Sequence, residues 1–84
     1  MTETTNLAAL PLRKSARITG FNAESHEGET RLREIGFAEG DIVEIVHVGL
    51  FGRSPLNIRL HGSTSIAMRP SEAAKILVNT SLVE

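Results

Sequence analysis

The chain has 84 residues, with nine Lys and Arg against ten Asp and Glu and a formal charge of −1. That length allows one domain with a small core, burying roughly 60–65% of the surface its unfolded chain exposes. The even charge balance, with no Trp, no Tyr and three Phe, argues against a nucleic-acid binder, which needs a basic excess and aromatic stacking platforms.

The absence of cysteine excludes disulfides and thiolate metal sites. The N-terminal "MTETTN" has no basic n-region, and "LAALPL" is too short for the apolar core of a signal peptide. No window approaches the ~18 apolar residues of a membrane span. These features predict a soluble, cytoplasmic protein with no membrane insertion.

Along the chain, residues 1–6 read as a polar, flexible tail. "LAALPL" offers Leu7, Leu10 and Leu12 to pack across one end of a core. "SARITGF" alternates, with Ala16 and Ile18 on one face, and predicts a half-buried strand. "NAESHEGETRLREIG" predicts a short helix capped by Asn22 or Ser25, with Glu27 and Glu29 at its positive end and Leu32 and Ile35 on one face. Gly36 is placed to take a left-handed conformation just past that helix. Leu32 and Phe37 then make the hydrophobic contact of a Schellman motif. "AEGD" forms a tight turn, with Gly40 at positive φ.

The remainder reads as β. "DIVEIVHV" turns Val43 and Ile45 inward, "PLNIRL" turns Leu56, Ile58 and Leu60 inward, and "TSIAM" turns Ile66 and Met68 inward. "RPSEAA" allows one helical turn begun by Pro70, "KILV" a last strand, and residues 79–84 a C-terminal tail. The domain therefore spans residues 7–78. Its predicted class is all-β: five short strands with one short α-helix between the first and second and a helical turn before the last. Tight turns between short strands favour a small closed barrel, because closure removes exposed edges.

No catalytic constellation stands out. The single aspartate, Asp41, sits in a turn, and Gly36 and Gly40 lack the Gly-Lys-Ser/Thr that completes a phosphate loop. His26 and Glu29 are an i,i+3 pair on one helix face, and His47 and His61 lie on or beside strands. With neighbours from another molecule, His26, Glu29 and His47 have the donor chemistry for weak iron or zinc binding; the plainer reading is ordinary surface side chains. No cofactor is required. "GLFG" places Leu50 and Phe51 between glycines at a hairpin tip, where an exposed pair calls for a covering partner. The alternative is that Phe51 folds back as a lid on the barrel. Arg53 beside them suits an acidic rim. Arg31 and Arg33 on the helix face are either simple solvated charges or a second contact surface.

At "LREIGFAEGDIVEIV" the sequence resembles the FeoA family of bacterial ferrous iron transport. Leu32, Glu34, Ile35, Gly36, Phe37 and Gly40 match its pattern in order, as do Met68, Arg69, Ala73 and Ile76 in "MRPSEAAKILV". The resemblance implies an SH3-like barrel. It also implies a non-enzymatic accessory protein that binds and regulates FeoB, a membrane ferrous iron permease carrying a GTPase domain. The hairpin "GLFGRSP" departs from the family pattern in having Arg53 and Ser54 for an aspartate, with one extra residue, and Arg13 stands where a turn glycine is frequent. A second reading is a standalone regulatory barrel like the C-terminal domain of metal-dependent repressors, with metal-linked homodimers. The segment ahead of the first helix is too short for the helix-turn-helix that such repressors carry.

Overall fold

The computed structural model describes residues 4–23, 25–60 and 63–82. The strands are β1 (Thr4–Asn6), β2 (Ser15–Phe21), β3 (Ile42–Gly49), β4 (Arg53–Leu60), β5 (Thr64–Met68) and β6 (Ile76–Asn79). Helix α1 (His26–Ile35) joins β2 to β3, and α2 (Pro70–Ala73) precedes β6. All neighbouring strands pair antiparallel, in the order β1-β6-β2-β3-β4-β5. No helix among the described residues is long and apolar enough to cross a membrane.

Two expectations are corrected here. Among the described residues there are six strands rather than five, because Thr4–Asn6, read as part of a flexible tail, pairs with Leu77, Val78 and Asn79 of β6. Three polar residues carry no alternation that a sequence reading can detect. Among the described residues the sheet is also not closed by hydrogen bonds: β1 and β5 end the order without pairing to each other. α2 packs against the 3-10 turn Leu7–Ala9.

The core follows the alternation. Ala16 and Ile18 of β2, Val43 and Ile45 of β3, Leu56, Ile58 and Leu60 of β4, and Ile76 and Val78 of β6 are buried together with Leu7, Leu10, Leu32, Phe37 and Met68. Leu12 was expected with them, yet it is 48% exposed. The chain reverses beside it, with Lys14 donating to the Pro11 carbonyl and Arg13 held at φ +68. Ile66 is half-buried against the core.

In β3 the pairing runs Ile45 with Ile58, then His47 with Asn57, leaving Val46 as a bulge. Strict alternation from Val43 and Ile45 would turn His47 inward. The extra residue flips the phase, so His47 is exposed and Val48 packs on the core.

Candidate interaction surface

The end of α1 closes as its sequence predicts. The Ser25 hydroxyl caps the helix by accepting from the Gly28 N–H at 3.1 Å. At the other end Gly36 takes φ +132, its N–H donates to the Arg33 carbonyl (3.1 Å), and the Phe37 N–H donates to the Leu32 carbonyl (3.2 Å). These are the two bonds of the Schellman motif, and Leu32 and Phe37 both lie in the core. The following turn is closed by Asp41 N–H to the Ala38 carbonyl (3.1 Å), with Gly40 at φ +95.

Arg33, a candidate contact residue, is engaged within the chain. Its guanidinium donates to both Glu39 oxygens (2.8 and 2.7 Å) and to Glu29 (3.0 Å), and it lies 4.7 Å from the centre of the Phe21 ring. The hydrogen bonds from Arg33 pull the Glu39 carboxyl from its ordinary 4.5 down to about 2. Glu39, and to a lesser degree Glu29, raise the Arg33 pKa further above its already high value. The pair faces solvent, with side chains 42% and 46% exposed, so its energetic weight is small. Glu39 could not be singled out from sequence: its partner lies six positions away across Gly36, a spacing that no helix face supplies. Arg31 is exposed and has no ion pair with another described residue.

The β3–β4 hairpin carries the most exposed apolar side chains of the described residues. Gly52 and Arg53 take φ +61 and +67, and the Ser54 N–H donates to the Phe51 carbonyl at 3.0 Å. Two consecutive left-handed residues inside such a bond make a type I′ turn, whose twist suits paired strands. Leu50 and Phe51 stand on the approach to this turn, 95% and 85% exposed. Phe51 is therefore not a lid on the core.

Two further features fix the tip. A Cβ on Gly49 would collide with the Ser54 carbonyl carbon and oxygen and lie 2.6 Å from Pro55 Cδ. Only glycine permits that close approach. Arg53 donates from Nη2 to the Leu10 carbonyl at 3.3 Å, tying the tip to the lead-in segment. Its charge is thus anchored at the base of the tip rather than extended beside Phe51.

The candidate metal donors do not gather in one chain. His26 begins α1 and His47 lies on β3, both exposed, while the Glu29 carboxylate is occupied by Arg33. His61 lies outside the described residues. Among the described residues, no three His, Cys, Asp or Glu are grouped to hold an ion. These residues do not fit a resident metal within a single chain.

The sequence matches the FeoA domain family over residues 5–80. No curated protein matches it. Among solved structures, a FeoA-like protein from Clostridium acetobutylicum superposes with a TM-score of 0.82 at 27% identity, covering 100% of this chain and 93% of that one. FeoA from Stenotrophomonas maltophilia superposes with a TM-score of 0.76 at 35% identity over 96% and 92% of the two chains. That protein was crystallised with zinc and is described as a prokaryotic SH3 domain protein proposed as a ferrous iron transport activating factor. A manganese-dependent transcriptional repressor shares the fold alone, at TM-score 0.81 and 11% identity, over 95% of this chain and 43% of its own. With the family match spanning nearly all of its strands, this SH3-like chain belongs to the FeoA family.

Proposed function

We propose that the protein is a non-enzymatic, cytoplasmic accessory protein of ferrous iron uptake that binds and regulates a FeoB-type permease through Leu50 and Phe51. The observation that carries this reading is the exposure of both side chains on a tip braced by Gly49, the type I′ turn and the Arg53 bond to Leu10. A rigid scaffold that presents side chains outside its core is a common way to build a contact. Aromatic and aliphatic anchors of this kind typically lose ~2 kcal/mol or more of binding when truncated. The role in iron uptake is supported by family membership and by the activating role proposed for the S. maltophilia protein. The likeness to the repressor extends to shape only and adds no regulatory activity.

The test is the double change Leu50→Ala with Phe51→Ala. Neither side chain contributes to the core, so the circular dichroism spectrum and melting midpoint should stay with the parent. Retention of the permease in a pull-down from native membranes, and support of iron-limited growth, should both be lost. Full retention by a normally folded double variant would refute the tip contact and move attention to Arg31 on the helix face.

A further inference from the structure

We propose that the protein self-associates edge to edge through β5, two copies pairing antiparallel about a two-fold axis so that their α1–β5 grooves cover one another. Among the described residues β5 bonds only to β4, so its outer edge presents unpaired backbone N–H and C=O groups. Natural edge strands are usually blunted by brevity, by charge or by proline. The other edge, β1, has three described residues. β5 has five residues, Thr64, Ser65, Ile66, Ala67 and Met68, with neither a charge nor a proline among them.

Beside this edge lies a groove of about 340 Å³ between α1 and β5, reaching α2. Ile35, Ile66 and Met68 contribute its apolar lining. Ile35, on the same helix face as the buried Leu32, is 44% exposed and opens on this groove. The rim carries Glu27, Arg31, Glu72 and Lys75, and none forms an ion pair with another described residue.

The rim favours a second copy as the occupant. An isologous interface must be complementary to itself. A rim of one sign would repel its own image, whereas two acids and two bases can be matched across a two-fold axis. The strand obeys the same condition. An axis through Ile66 sets Ile66 opposite Ile66 and Thr64 opposite Met68. Paired residues in an antiparallel ladder share a face, so the half-buried Ile66 side chains of the two copies meet at the axis on the groove side. Each Met68, held in its own core, lies opposite Thr64 of the other copy. Leu50 and Phe51 do not line the groove. The inference is therefore independent of the proposed permease contact, and it needs no metal.

Sedimentation velocity from micromolar to millimolar protein in excess EDTA tests this directly, with amide exchange followed at low and high concentration. The expected result is a monomer–dimer equilibrium whose added protection falls on residues 64–68. Ile35→Glu should weaken association by about tenfold or more, and Ala67→Lys, on an exposed edge position, should do the same if the helix variant folds poorly. A monomer throughout the range would overturn the proposal. So would dimers that dissolve in EDTA, that tolerate both substitutions, or that protect other amides.

Discussion

Gly36→Val probes the joint on which the helix-to-strand passage depends. At φ +132 Gly36 lies beyond the left-handed well near +57° that asparagine tolerates, and a β-branched side chain is the least compatible with such a backbone. The added Cβ would itself meet only Leu60 Cδ2 at 3.4 Å, so the penalty is conformational before it is steric. Strain of this kind costs about 1–3 kcal/mol. Relief by rearranging the turn would surrender the Gly36 and Phe37 bonds to Arg33 and Leu32 and loosen Phe37 in the core. An 84-residue domain has roughly 4–13 kcal/mol of total stability. At about 4–8 °C per kcal/mol, the midpoint should fall by roughly 5–20 °C. Thermal unfolding followed by circular dichroism reads this, with Gly20→Ala as the control, since Gly20 has neither positive φ nor any neighbour within 4 Å. A valine variant melting with the parent, or a Gly20 variant falling as far, would refute the argument.

Two further outcomes are expected. The Glu39 carboxyl should titrate near about 2 when followed by NMR, and Arg33→Gln should return it to the ordinary range. Because its folded pKa is depressed, its contribution to stability is complete above about 4.5 and is lost as pH falls through about 2; an Arg33→Gln variant with an unchanged Glu39 titration would sink that assignment. Zinc or ferrous iron should bind dilute monomer only weakly, any tight site arising when His26, Glu29 or His47 of separate molecules come together. Submicromolar binding to a proven monomer by titration calorimetry would show that one chain suffices.

The fold was legible wherever local geometry reaches the sequence directly. Period-two burial named the inward residues of β2, β3 and β4, and the Leu32, Gly36, Phe37 spacing specified how the helix ends. What escaped depends on contacts distant in sequence or on backbone without a side-chain signature. β1 exists because β6 offers it an edge, across more than seventy positions of chain. The Val46 bulge and the outward turn of His47 come from pairing register with β4. The candidate site divides the same way. "GLFG" marked the tip but left Phe51 either exposed or a lid; its exposure, the type I′ turn at Gly52 and Arg53, and the collision that reserves position 49 for glycine emerge only once two strands are placed together. Arg13 illustrates the reverse case: an arginine occupies a positive-φ position, at φ +68, that favours glycine.

Leu50 and Phe51 also invite an energetic comparison. Fully burying such side chains is worth about 1.5–3 kcal/mol each, yet the hairpin holds both in water. A small domain has little reason to forgo that much for its own stability. The local backbone accentuates the point, because a left-handed Arg53 carries a conformational cost that a glycine at the same place would avoid. That arginine reaches back to the Leu10 carbonyl, joining the tip to a leucine that is fully buried. The apolar pair is thus displayed on backbone anchored to the core rather than left on a loose loop. Anchoring reduces the ordering cost of association without reducing the apolar surface available to be covered. Exposure and rigidity together make a partner contact the economical explanation of this tip, and the double alanine variant separates that explanation from one in which the pair serves the fold.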